Sequence, residues 1–166
     1  LGKIGKICVT NMIGGGILSS RLARRIREQD GLSYAVAGGI SGHPIDPVGQ
    51  FSAIAIYAPE NADAVEAAFV EEIDLILSDG FTAEELDVAQ QGWLESRQLG
   101  RAQDSALAGA LSSGLYFDRT TMFDEEMEGR VRRLTVDDVN EAIRARLHLS
   151  KMTIVKAGDF KRAPIG

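Results

Sequence analysis

The sequence predicts an α+β domain, with a mostly antiparallel or mixed sheet and helices packed on one of its faces. Three observations predict it. Two strand-like segments follow one another across a Pro-bearing loop, over residues 32–58. Amphipathic helical stretches then succeed each other with no strand between them. No regular βαβ alternation runs through the chain, which argues against a doubly wound parallel sheet. Of the 166 residues, 45% are hydrophobic and 25% charged, enough apolar material for a single core.

Residues 3–13 are rich in Ile and Val and predict a first strand. Gly14-Gly15-Gly16 would end it in a tight turn where only glycine fits. Ser19 and Ser20 are candidate caps for a helix reaching about Gln29, with Leu18, Leu22 and Ile26 on one face. Gly31 supplies its C-terminal stop. Residues 32–40 alternate Leu32, Tyr34 and Val36 with small residues, the period of a strand. Pro44 and Pro47 make 41–48 a loop, and 50–58 is a second strand pairing antiparallel with the previous one.

Pro59-Glu60-Asn61 opens a long helix with Val65, Phe69, Ile73, Ile76 and Leu77 as its buried stripe, ended by Gly80. Thr82 and Glu85 form a capping box for the next helix, with Leu86, Ala89 and Trp93 inward. A weaker helical pattern continues through 106–115. Thr135 with Asp138 is another cap, followed by Val139, Ile143 and Leu147, and residues 152–157 close as a strand. The predicted order is β-α-β-β-α-α-α-α-β, without internal repeats. So few strands beneath so many helices suggest that the first strands of the sheet are missing and that one edge is open to pairing.

The net charge is −6, from 18 basic and 24 acidic residues, the reverse of a nucleic-acid binder's balance. Residues 1–40 nevertheless carry +4, most of it on Arg21, Arg24, Arg25 and Arg27. No apolar run approaches the roughly 20 residues of a membrane span. Cys8 is the only cysteine, so neither an intrachain disulfide nor a thiolate metal cluster forms. The chain starts at Leu1 inside the first predicted strand, which suggests a fragment; the compartment stays open.

His43 and His148 match neither H-x-x-E-H nor H-E-x-x-H and read as surface histidines, so no metal ligand set is expected in this chain. The glycine run between strand and helix lacks the Gly-Lys-Ser/Thr of a phosphate loop, and Ser19 stands where the dinucleotide fingerprint needs Gly or Ala. No Gly-x-Ser-x-Gly exists, and acidic pairs such as Glu84-Glu85 and Asp137-Asp138 suit the first turns of helices. Arg27 and Tyr34 are different. They stand seven apart across the Asp30-Gly31 reversal and offer a guanidinium and a phenol, donors suited to a peptide carbonyl or an oxyanion. The local alternative is that Arg27 pairs with Glu28, Asp30 or the helix end and that Tyr34 is half-buried with a wet hydroxyl.

Several segments together point to a family. Met12-Ile13-Gly14-Gly15-Gly16, Ser19-Ser20-Arg21-Leu22 and Ile26-Arg27-Glu28-Gln29-Asp30-Gly31-Leu32-Ser33-Tyr34 resemble the second-half signature of the pitrilysin/insulinase zinc peptidases. Ala58-Pro59-Glu60-Asn61, Asp79-Gly80-Phe81-Thr82-Ala83-Glu84-Glu85-Leu86, Thr135-Val136-Asp137-Asp138-Val139 and Ala157-Gly158-Asp159 fit the same pattern in the same order. Residues 3–8 and 95–130 are least distinctive.

The resemblance implies two similar α+β halves around a closed chamber, of the pitrilysin/mitochondrial-processing-peptidase type. Zinc sits in the first half or in a partner subunit, and residues 1–166 are one partial C-terminal half-domain that hydrolyses nothing alone. By motif match Arg27 and Tyr34 project towards the peptide, which lies as an added strand in the zinc half. Expected partners are the zinc-bearing half and a peptide substrate, with no nucleic acid and no membrane; a second copy could pair at the open edge. Bacterial relatives occur in periplasm and cytoplasm alike. Two other functions compete: a non-peptidase assembly subunit of the same family, and an anion- or nucleotide-binding module built on Gly14–Gly16 with Arg21, Arg24 and Arg25.

Overall fold

The computed structural model describes residues 3–42 and 49–159, with side chains at residue 10 and from residue 12 onward. The element order is α1 (Lys3–Ala23), β1 (Ala35–Gly42), β2 (Gly49–Ile56), α2 (Ala62–Asp79), α3 (Ala83–Arg101), α4 (Asp104–Tyr116), α5 (Thr121–Arg133) and α6 (Val136–Arg146). The fold is α+β, with helices gathered around one small antiparallel sheet.

The first strand is corrected: residues 3–13 belong to the long helix α1, and Gly14, Gly15 and Gly16 lie inside that helix and form no turn. β-branched residues cost a helix only a few tenths of a kcal/mol each, roughly, and burial overrides that. Thr10, Ile13, Ile17, Leu18 and Leu22 are all buried, at helical spacing. The glycines permit close approach. A Cβ on Gly15 would stand 2.5 Å from the Ile40 backbone nitrogen, and one on Gly14 would stand 3.0 Å from Val139 Cγ1 and 3.1 Å from Ile143 Cδ1. α1 is thus sandwiched between β1 and α6. Ser19 and Ser20 are not caps: Ser19 Oγ accepts from Gly38 N at 3.1 Å, tying β1 to α1, and Ser20 Oγ donates back to Gly16 O at 3.1 Å.

β1 and β2 pair antiparallel from Ala35↔Ile56 to Gly42↔Gly49, as their spacing predicts. Ser41 and Gly42, assigned to the loop, belong to β1; residues 43–48, with His43, Pro44 and Pro47, lie outside the described residues. Tyr57 and Ala58 follow β2 outside the ladder. A single 3₁₀ turn, Pro59–Asn61, leads into α2, where Val65, Ala68, Ile73 and Ile76 are buried.

Gly80 ends α2 at φ 81°, and Asn140 of α6 brackets the next residue, accepting from Phe81 N at 2.7 Å and donating to Phe81 O at 3.2 Å. α3 and α6 start with the expected Thr82/Glu85 and Thr135/Asp138 capping boxes. α5 has no counterpart in the predicted order; it buries only Glu128 and Val131 and carries Arg130, Arg132 and Arg133 in its last turn. The closing strand is also corrected. After a 3₁₀ turn at Leu149–Lys151, residues 152–157 run without joining a ladder, and the sheet among the described residues has two strands. The core is continuous from Leu18, Leu22 and Ile26 through Ile73 and Ile76 to Val131, Val139 and Ile143.

Candidate functional site

The helix that begins as α1 does not stop as a regular α-helix. Over Arg24–Gln29 it widens into a π turn, closed by Asp30 N donating to Arg25 O at 3.1 Å, five residues back. Ile26 stays in the core beneath it. Gly31 then takes φ 63°, and Leu32 N donates to Ile26 O at 2.9 Å, six residues back, which folds the chain back on the helix end. Arg27 and Tyr34 each lie within two residues of that closure.

The far side of the reversal is irregular too. Tyr34 N donates to Ile56 O at 2.8 Å, while Ile56 is also the ladder partner of Ala35. Two residues therefore oppose one, the count of a β-bulge. Strict alternation would put Tyr34 on the core side with Val36; instead Tyr34 is 75% exposed. Buried Ser33 fixes the bulge, its Oγ lying 2.7 Å from Ile56 O and 2.8 Å from Ala35 O. Asn61 Nδ2 holds Leu32 O at 3.1 Å. The reversal is clamped from three elements.

On this clamped platform Arg27 is exposed, and neither its guanidinium nor the Tyr34 phenol has a hydrogen bond or ion pair with a described residue. Arg27 does not pair with Glu28 or Asp30, since Asp30 is taken by Arg25, which also reaches Glu71 at 2.9 Å. Arg24 is exposed as well.

Arg21 is structural. It forms a two-pronged bond to Glu85, at 2.6 and 2.8 Å, donates to Gly80 O at 3.1 Å and stands 3.7 Å from buried Glu72. The Arg21 guanidinium holds the Glu85 carboxyl down at about 2, helped by Thr82, while burial pushes the Glu72 carboxyl up. With the glycine run inside α1 and Arg21 and Arg25 committed to carboxylates, no phosphate loop exists at this place. Among the described residues no group of three His, Cys, Asp or Glu could hold a metal ion, and His148 stands apart from any such cluster. The described side chains do not fit a zinc site.

The π turn and the bulge carry no sequence signal beyond Gly31, which marks the reversal and not its geometry. The sequence singles out Arg27 and Tyr34 and gives no sign of the π turn and the bulge beside them.

Comparisons with known proteins agree on one family. The profile described as "Peptidase M16 inactive domain" matches residues 7–92. A Helicobacter pylori protein named "Non-peptidase homolog YmxG" is 22% identical over 160 residues, covering 96% of this chain and 36% of that protein. An uncharacterized zinc protease of Streptomyces coelicolor is 28% identical over 145 residues, covering 82% of this chain and 29% of that protein. The chain thus spans about a third of the length of these curated relatives. Among solved structures, the inactive peptidase domain of a zinc-protease candidate from Bordetella parapertussis superposes with a TM-score of 0.72 at 24% identity, over 90% of this chain and 83% of that one. A peptidase M16 inactive domain from Pseudomonas fluorescens gives 0.68 at 23% identity, over 84% of this chain and 34% of that one.

Proposed function

Because the chain belongs to the peptidase M16 inactive-domain family, we propose that it is the substrate-binding, non-catalytic half-domain of a zinc metalloendopeptidase, supplying Arg27 and Tyr34 to the peptide near a metal held by the other half. One observation carries the reading: two strong donors stand in solvent without a partner among the described residues, on a reversal held by hydrogen bonds from neighbouring elements. Unpartnered donors on a rigid support are what recognition of a carbonyl requires, since little ordering cost remains at binding. Arg27 would grip a carbonyl or carboxylate through its fork of N–H groups, and the Tyr34 hydroxyl would donate a single bond. Closure of the two halves would exclude water and strengthen each contact. The zinc chemistry belongs to the other half, so this half alone should be inert.

The test is reconstitution with the zinc-bearing half and a fluorogenic peptide. Arg27→Ala or Tyr34→Phe should lower kcat/KM by about 100-fold or more, the scale of losing an oxyanion-type donor. Undiminished turnover in both variants would remove the proposed role. A second reading, an assembly subunit without peptidase activity, is favoured by the name of the Helicobacter pylori relative. It predicts no hydrolysis by the wild-type pair and unchanged pairing of the halves in the two variants.

A further inference from the structure

The π turn decides which charges at the helix end can meet. In a regular α-helix an arginine pairs with a carboxylate three or four residues away. Over 24–29 the backbone closes five residues back, and the ion pair that forms there joins Arg25 to Asp30, five apart. By the same spacing Arg24 falls opposite Gln29, which carries no charge. Among the described residues no ion pair joins Arg24 to Glu28. Arg24 is exposed and forms no hydrogen bond or ion pair with a described residue; buried Glu72 feels its charge only at longer range. Arg27 is equally uncommitted. Arg21 and Arg25 on the same helix spend their guanidiniums on Glu85, Asp30 and Glu71.

Residues three apart in a helical turn have their Cβ atoms roughly 6 Å apart, so the two free guanidiniums repel each other. A carboxylate between them would relieve that repulsion and accept charge-assisted bonds from both. A neutral peptide carbonyl does not need the second cation, since one donor from Arg27 or Tyr34 serves it. The positive charge is also local. Residues 24–30 hold three arginines against Glu28 and Asp30, a net +1 within a chain of −6. A long polyanion would be repelled by the rest of the surface, whereas one or two carboxylates on a short peptide meet only the turn.

Resting on the reading of Arg27 and Tyr34 as peptide donors, we propose that Arg24 sets the specificity of that site: together with Arg27 it selects peptides that place a carboxylate beside the gripped carbonyl. The carboxylate is an acidic side chain or a free C-terminus, since both present the same two oxygens to a guanidinium. The corresponding amide offers one oxygen and no charge, and loses the charge-assisted part of the contact.

The probes are fluorescent peptides in which one Glu is moved stepwise along an otherwise uncharged sequence, each matched by its Gln counterpart. Uncharged peptides ending in a free acid or an amide complete the set. Binding to the full-length protein, assembled with its zinc-bearing half, is read by fluorescence anisotropy, which needs no turnover. At one position Glu, or the free acid, should bind about 10-fold more tightly than its neutral counterpart. The preference should fall as salt rises from ~0.05 M to ~0.5 M. Arg24→Glu should reverse it, and Arg24→Lys should keep most of it, which separates charge from packing. A preference confined to the free acid assigns the C-terminus, and one confined to Glu assigns the side chain. No preference at any position, or one that survives Arg24→Glu, would overturn the inference. The proposed function fails separately, if Arg27→Ala and Tyr34→Phe leave hydrolysis undiminished.

Discussion

Gly15 and its neighbour Gly16 should respond in opposite directions to the same substitution. Both lie within α1, where replacing glycine by alanine gains about 1 kcal/mol of helix propensity. At Gly16 the new Cβ meets nothing within 4 Å, so the gain is kept. At Gly15 the new Cβ would sit 2.5 Å from Ile40 N and 3.1 Å from Ile40 Cβ. Ordinary contact begins at 3.4 Å, so β1 must retreat by nearly an ångström from the helix that carries it. The obstacle is backbone and cannot swing aside, which places the cost near the upper end of the ~1–3 kcal/mol for overpacking. Gly16→Ala should therefore stabilise by up to about 1 kcal/mol, and Gly15→Ala should destabilise by about 1–2 kcal/mol. With a urea m-value of ~2 kcal/mol/M, the two midpoints should differ by about 1 M. Equal stabilisation by both variants would refute the account of the glycine run as a close-packing device.

Three further outcomes follow from the same geometry. Glu85 is held at about 2, below its unfolded value, so its contribution is complete above pH ~5 and is lost as the pH falls towards 2. After allowing for solvent screening, the stability gap between wild type and Glu85→Gln should shrink by about 1–2 kcal/mol across that window, read by denaturant midpoints at each pH. Asn140→Ala strips both bonds from the Phe81 backbone and should cost about 1–3 kcal/mol in the same assay, while leaving the fold recognisable by circular dichroism. Arg27→Ala and Tyr34→Phe should each stay within about 0.5 kcal/mol of wild-type stability, because neither side chain has a partner among the described residues to lose; a larger change would mean a structural duty.

The sequence was most legible where local chemistry decides the outcome. The two threonine capping boxes, the α2 stripe and the antiparallel pairing of the central strands all follow from short-range patterns. It misled where tertiary contact decides. Residues 3–13 look like a strand by composition, yet the stripe Thr10, Ile13, Ile17 continues the spacing of Leu18, Leu22 and Ile26 and was there to be read as one helix. The glycine run obscured it, because glycine signals a turn unless a neighbouring backbone needs the room. Residues 152–157 have strand composition without a ladder, since a strand is defined by its neighbour. α5 was missed because its exposed, charged surface leaves only two buried positions to reveal a period. Around Arg27 and Tyr34 the backbone setting was not legible: nothing in residues 24–29 announces a π turn, and nothing at Ser33 announces a bulge.

The widened last turn makes this stretch sensitive to counting more than to spelling. Each residue of an α-helix advances the spiral by about 100°. Losing a single residue anywhere in 24–29 would restore a regular helix end, keep nearly the same charge, and yet swing the terminal side chains by that angle relative to the anchored Ile26. Homologous chains should thus tolerate exchanges of side chain here far better than a change in length.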